Sequence, residues 1–394
     1  MHLSPAASSI VEPATLMMAR RCRELRAEGR DVIDLSLGEP DHDPPAWAIA
    51  AAQEALEGPW HKYPPVNGYP DVRLAIAKKF RRDNGLEYSA DQIVISTGAK
   101  HSIMNTVMSL IGPGDEVVIP APYWVSYSEQ VRLAGGKPVI VHSSLDEDWK
   151  APIDRIAAAI TPKTRLLMFS SPSNPSGSVL SREELEALAE LVLKHEELYV
   201  IADEIYEHIV FEGEHISLAS LPGMMERTIT INGLSKNFAL TGWRIGYLAA
   251  PLWIAQAVTK VQGQFTSGAN SIAQRVCKAC VESDPALIAP MRNDFLRRRD
   301  LVIEKVKQIP GWRCNVPQGA FYLMPDVSSS ISGDRIKSSV DLSMYLLDHA
   351  GVSVVDGGSF GAEGSIRISY ATSDELLEKA LDRIAKAVAE LKAK

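Results

Sequence analysis

Seven short apolar runs punctuate the chain: Ile93–Thr97, Glu116–Ala121, Lys137–Val141, Arg165–Ser170, Leu198–Asp203, Thr228–Asn232 and Arg244–Ala250. Several show no polar alternation, which is the pattern of strands covered on both faces. Between them lie stretches of helical periodicity. SREELEALAELVLKH opens with Ser181 and Glu184 at capping-box spacing. DVRLAIAKKFRRDNG closes on Gly85, a C-cap signal. The alternation predicts an α/β fold, a mostly parallel seven-stranded sheet sandwiched by helices. Beyond about Pro290 the texture changes. A long helix pattern, MRNDFLRRRDLVIEKVKQ, leads into GAFYLM, GVSVVDG, SIRISYA and a terminal amphipathic helix, which predicts a smaller α+β domain.

Charge and cysteine content narrow the classes. The net charge is −8 and no long basic cluster occurs, which argues against nucleic-acid binding as the main role. The short run Arg297–Asp300 reads as a solvated helix face. Four scattered cysteines do not make a disulfide framework. Cys277 and Cys280 form a CxxC, but within a helical stretch and without a second pair or a His cluster for a metal. The N-terminal segment lacks the basic start and apolar run of a signal peptide. No stretch approaches the roughly 20 apolar residues of a membrane span. A soluble cytoplasmic protein, with no nucleic-acid or membrane partner, is the expectation.

In sheets of this kind ligands sit beyond the carboxyl ends of the strands, and the polar residues cluster there. Ile93–Thr97 runs into Gly98-Ala99-Lys100 and then a helix pattern, a turn able to present backbone amides to an anion, or simply a tight turn. Arg165–Ser170 runs into SPSNPSG, which alone is an ordinary loop. Leu198–Asp203 ends in Asp203-Glu204, which alone suits a helix cap. LSKNFALTGWRIGY carries Lys236 and Arg244 in an otherwise apolar stretch. A lysine desolvated among apolar neighbours tends to lose its proton and become a nucleophile. An arginine beside it offers a planar fork for a phosphate. Taken together these pieces describe one ligand: a phosphate, an aldehyde that a lysine captures, and a ring nitrogen that wants a carboxylate. Pyridoxal 5′-phosphate has all three.

The chain resembles the class I pyridoxal-phosphate aminotransferases of the bacterial aspartate aminotransferase type. The resemblance rests on LSLGEPD, KYPPVNGYPDVR, STGAK, PAPYWVSY, SPSNPSG, ADEIYEH, LSKNFALTGWRIGY, GAFY and SIRISYATS, in this order over nearly the whole chain. It implies a large domain over 46–290 and a small one built from 1–45 plus 291–394. It further implies that Lys236 links covalently to the cofactor and shuttles a proton, that Asp203 pairs with the ring nitrogen, and that Tyr206 and Asn174 bond the ring oxygen. Trp124 would stack on the ring. Arg244, with Gly98, Ala99 and Lys100 through their backbone, would hold the phosphate. Tyr63 would reach the phosphate of a neighbouring subunit, making a homodimer. Arg367 would bind the substrate α-carboxylate, helped by Asn174 and the backbone of Gly38.

Gly233 stands where many relatives carry a phosphate-binding serine, so one donor is expected to be missing. Lys100 and Thr15 match a pair that binds the distal carboxylate of dicarboxylic substrates, which implies aspartate or glutamate as donor, with prephenate or aromatic substrates as the alternative. A lyase or synthase on the same scaffold is a further alternative, as is an effector-binding module of a transcription regulator. The latter carries a DNA-binding extension ahead of the pattern, whereas here the pattern starts almost at once. His101 is left ambiguous, and His208 reads as a surface residue on a helix.

Overall fold

The computed structural model describes residues 3–4, 7–8, 10–331 and 335–392. Its centre is a seven-stranded sheet of β1 (Ile93–Ser96), β2 (Glu116–Pro120), β3 (Lys137–Val141), β4 (Thr164–Ser170), β5 (Tyr199–Asp203), β6 (Thr228–Gly233) and β7 (Gly246–Ala249). The spatial order is β1-β7-β6-β5-β4-β2-β3. Every pairing is parallel except those of β7, which runs antiparallel to both β1 and β6.

The apolar runs lack alternation because both faces are covered. Along β4, Leu166 and Met168 pack with Ile103, Val107 and Val258 on one side. Leu167 and Phe169 turn to the other side, against Leu185, Leu188 and Val192. Each such side chain contributes about 1.5–3 kcal/mol relative to exposure. The covering helices include Ala99–Leu110 and Leu252–Phe265 on the first side and Arg182–Leu193 on the second. The last begins with the expected capping box, Ser181 Oγ accepting from the Glu184 amide at 3.2 Å and Glu184 accepting from the Ser181 amide at 2.7 Å. Helix Pro70–Asn84 ends as expected on Gly85, in the left-handed conformation at φ 67°.

The C-terminal part forms a three-stranded antiparallel sheet with Tyr322–Leu323, Val355–Asp356 and Ile366–Ser369, Ile366–Ser369 in the middle. The short strand Ile33–Asp34 pairs in parallel with Val352–Ser353, tying the N-terminal segment to this part. Helices Ala289–Lys307 and Asp374–Lys392 pack against one another beside it.

Two surface expectations are corrected. Arg298 and Arg299 are buried rather than solvated. Arg298 forks onto Asp41 at 2.7 and 2.9 Å, and Arg299 donates to the Pro317 carbonyl at 3.1 Å. Burial is tolerated because both charges are partnered, Arg299 also reaching the neighbouring Asp300 at 2.8 Å. His208 lies in a turn and not on a helix, largely buried beside Asp83 at 3.7 Å and Glu207 at 3.4 Å.

That histidine borders a buried polar network. The Lys79 amine is paired with Glu207, lies 3.7 Å from Asp83 and donates to Asn84 at 2.9 Å. Asn232, near the end of β6, donates to Glu207 at 2.6 Å. Paired cations hold the Glu207 carboxyl well below its ordinary range despite complete burial. Replacing Lys79 with methionine leaves that carboxylate buried without its partner. Urea denaturation of Lys79→Met is expected to show a loss of about 3–5 kcal/mol; a loss under about 1 kcal/mol contradicts the assigned pairing.

Candidate active site

The carboxyl ends of β1, β2, β4, β5 and β6 open on one cleft of about 270 Å³. Asp203 is the last residue of β5, and Tyr206 follows in the next turn. Lys236 sits in the turn after β6, Asn174 in the loop after β4, and Trp124 in the loop after β2. Because β7 is antiparallel, its amino end meets the same rim. Arg244 therefore enters just ahead of it, its backbone at φ 55°. Arg367 comes from the middle strand of the C-terminal sheet, Gly38 and Thr15 from the N-terminal segment, and all three line the cleft.

The turn at Gly98 is built by close approach. Gly98 caps helix Ala99–Leu110 at φ 84°, a conformation glycine adopts without strain. A Cβ on Gly98 would strike the Arg244 guanidinium, and one on Gly246 would strike the Ala99 amide. The first amides of this helix have no intrahelical acceptor, and the helix dipole favours an anion there. Arg244 donates to the Thr241 carbonyl at 2.8 Å and meets no carboxylate among the described residues. His101 Nδ1 accepts from the Thr97 amide at 3.3 Å, and burial lowers its proton affinity.

Gly233 has a steric reason. A Cβ there would sit 2.9 Å from the Ile245 carbonyl oxygen and 3.0 Å from Gly246 Cα, so a serine does not fit. Buried Ser235 lines the cleft instead.

Charge in the cleft is unbalanced. Burial lowers the Lys236 amine to about 8, against the nearby Glu39 carboxylate, which favours the charged form. Its Nζ donates to the Gly38 carbonyl. Burial raises the Asp203 carboxyl to about 6, opposed by the Tyr127 hydroxyl, which donates to Asp203 Oδ2 at 2.7 Å. Arg367 is 1 % exposed, so it is not the solvent-facing strand residue its pattern alone would allow. It donates to Asn174 Oδ1 at 3.0 Å and to the Ser36 carbonyl, while its Nε has no partner. Lys100 is exposed to the cleft, with its amine 4.8 Å from the centroid of the Trp124 ring. Desolvation lowers its proton affinity, and Arg244 adds to the effect.

Tyr63 alone of the expected side chains stays out: it is 92 % exposed and does not line this cleft. Two contributors were not singled out from sequence. Tyr127 lies one turn beyond Trp124 in PAPYWVSY. Tyr322 lies in GAFY, with its hydroxyl 2.7 Å from that of Tyr206 and its ring 4.6 Å from the Arg367 guanidinium. Both stand inside the motifs, but only the fold shows what they touch.

These residues fit pyridoxal 5′-phosphate. A desolvated amine and a buried carboxylate face one cleft. A glycine turn is pressed against an unpaired arginine, and a second arginine keeps one buried donor free. In the cofactor-free protein the Lys236 amine is protonated below pH 8 and a nucleophile above it, with about a tenth neutral at pH 7. Acylation of Lys236 by an amine-directed reagent, read by mass spectrometry, is expected to rise with a midpoint near 8. A midpoint near the ordinary 10.5 contradicts the desolvated site.

A sequence model described as aminotransferase class I and II matches residues 30–384. A bifunctional aspartate aminotransferase and glutamate/aspartate-prephenate aminotransferase of Petunia hybrida is 45 % identical, over 99 % of this chain and 83 % of its own. An aspartate/prephenate aminotransferase of Cereibacter sphaeroides is 41 % identical over 97 % of each chain. The solved aspartate aminotransferase of Thermus thermophilus with maleate superposes at a TM-score of 0.93. It is 40 % identical and covers 98 % of this chain and 100 % of its own. The chain belongs to the class I and II aminotransferases, pyridoxal 5′-phosphate enzymes that move amino groups between amino acids and 2-oxo acids.

Proposed function

We propose that the amino donor is a dicarboxylic L-amino acid, aspartate or glutamate, and that the kinetics are ping-pong. The observation that carries this reading is the surplus of cations in one cleft: Lys100, Lys236, Arg244 and Arg367 line it together. A phosphate satisfies Arg244, an α-carboxylate satisfies Arg367, and a second substrate carboxylate satisfies Lys100 with Thr15. The names of the Petunia and Cereibacter relatives support aspartate and keep prephenate as a second substrate.

Bound pyridoxal 5′-phosphate supplies an aldehyde for amine capture and a ring that withdraws electrons from the substrate α-carbon. The protein does the rest. Asp203 would pair with the ring nitrogen and keep it protonated, and the Tyr127 hydroxyl, donating to Asp203 at 2.7 Å, would hold that carboxylate in place. Tyr206 and Asn174 would bond the ring oxygen, Trp124 would stack on the ring, and Arg244 with the Gly98, Ala99 and Lys100 backbone would hold the phosphate. Arg367 orients the substrate with Asn174 and the Gly38 backbone. The Lys236 amine, whose proton affinity burial lowers, would accept and return the α-proton.

The division into 46–290 and 1–45 plus 291–394 is supported by the pairing of Ile33–Asp34 with Val352–Ser353. A cytoplasmic setting is supported by the unpaired thiols of Cys22, Cys277, Cys280 and Cys314. No helix among the described residues is long and apolar enough to cross a membrane. A homodimer with shared sites is supported by the exposure of Tyr63, free to reach a second copy. Sedimentation equilibrium is expected to give twice the chain mass, and a monomer contradicts the shared site.

Lys100→Ala is expected to lower kcat/KM for aspartate about tenfold or more while changing that for alanine or phenylalanine little. Equal loss for all three in steady-state assays removes Lys100 from substrate recognition.

A further inference from the structure

Tyr63 is exposed, yet the backbone that carries it is held from beneath. Its loop joins helices Ala46–Glu57 and Pro70–Asn84. Pro64 and Pro65 follow the tyrosine and restrict the chain there. Bonds fix the loop on both sides of it. The Lys62 carbonyl accepts from Ser271 Oγ at 3.1 Å, and the Val66 carbonyl accepts from Gln262 Nε2 at 2.6 Å. The Asn67 carbonyl accepts from the Ile95 amide at 3.1 Å, and the Tyr69 amide donates to Gln274 Oε1 at 2.9 Å. Gly68 lies so near the Ile95 side chain that a Cβ there would collide with it. Connecting loops are ordinarily the mobile part of a fold. This one is ordered before Tyr63 meets anything, which lowers the entropy cost of that contact.

Gln262 is the hub of these bonds. It is fully buried on helix Leu252–Phe265. Its Nε2 donates to the Val66 carbonyl and, at 2.9 Å, to the Ile95 carbonyl of β1, while its Oε1 accepts from Asn105 Nδ2 at 3.0 Å. Both amide hydrogens and the carbonyl are thus engaged. Asn105 belongs to helix Ala99–Leu110, whose first residues line the chain's own cleft, but it stands nearly two turns beyond them. The shorter bond runs to the Tyr63 loop. Ser271 is an independent pin: it is buried, touches Lys62 and Tyr69, and does not line the cleft.

We propose that Gln262 and Ser271 are positioning residues for the active site of a second copy of this chain. They hold the loop that delivers Tyr63 to it. This rests on the shared-site homodimer proposed above. It has a direction: a change at either residue disturbs the other chain's site and spares its own. A purely structural role predicts the reverse for Gln262, because its Asn105 bond leads to its own cleft.

The test uses hybrid dimers purified through two different tags. One chain always carries Lys236→Ala, so the visible band of lysine-linked cofactor reports only the chain that keeps Lys236. Gln262→Met is placed either in the Lys236→Ala chain or in the other, and the dissociation constant of pyridoxal 5′-phosphate is measured at the lysine-linked site. Placed in the Lys236→Ala chain, Gln262→Met loosens the Tyr63 that reaches that site. The constant is then expected to be about tenfold higher than in the other arrangement. Ser271→Ala, a smaller change, is expected to show an asymmetry in the same direction, and it carries the test if Gln262→Met does not fold. A constant raised in the altered chain's own site, or equal in the two arrangements, overturns the proposal in either variant. Tyr63→Phe in the same arrangements separates the two readings. If it shows no asymmetry, the shared site itself fails. If it shows the asymmetry and the other variants do not, only the positioning role is overturned.

Discussion

Positive charge held in a partly desolvated cleft without matching carboxylates is the constraint on which the rest depends. Lys100, Lys236, Arg244 and Arg367 share one cavity with Asp203 and Glu39. Asp203 is turned toward Tyr127, Glu39 toward Thr241, and neither arginine forms an ion pair among the described residues. Leaving charges this way is costly in the ligand-free protein. It is tolerated where ligands bring the missing anions, and a phosphate and one or two carboxylates are what this arrangement admits. Burial also sets the chemistry, because it brings a lysine to about 8 and an aspartate to about 6, both inside the range where protons move readily.

The sheet explains how so many polar groups reach one place. Parallel strands put their carboxyl ends on one edge, and each of β1, β2, β4, β5 and β6 passes a short loop over it. The reversal of β7 completes the set by bringing Arg244 to that edge from its amino side. Arg367 arrives from a separate sheet, so the proposed contact with a substrate carboxylate depends on how the C-terminal part is seated against the large sheet.

Much of this was legible in the chain. Unalternating apolar runs mark doubly covered strands, and six of the seven runs match their strands to within a residue or so. Ser181 and Gly85 announce helix ends because capping is a local interaction. The antiparallel sense of β7 was not legible, since a buried run reads the same in either direction, and its strand starts only at Gly246 because Arg244 is held at positive φ. Arg298 and Arg299 misled for a similar reason: a charged run looks solvated until Asp41 and Pro317 are brought over it from distant parts of the chain. His208 was misplaced because the turn after Tyr206 keeps helix-like spacing without forming a helix. In the cleft, residues with distinctive chemistry stood out, whereas Tyr127 and Tyr322 act through hydrogen bonds to residues 76 and 116 positions away.

The account reduces to one nitrogen made reactive by its surroundings. Reduction of the holoenzyme with borohydride, followed by proteolysis and mass spectrometry, tests it most directly. A pyridoxyl-phosphate mass on the peptide bearing Lys236, and on no other lysine, is the predicted result. A label on a different lysine, or none, contradicts it.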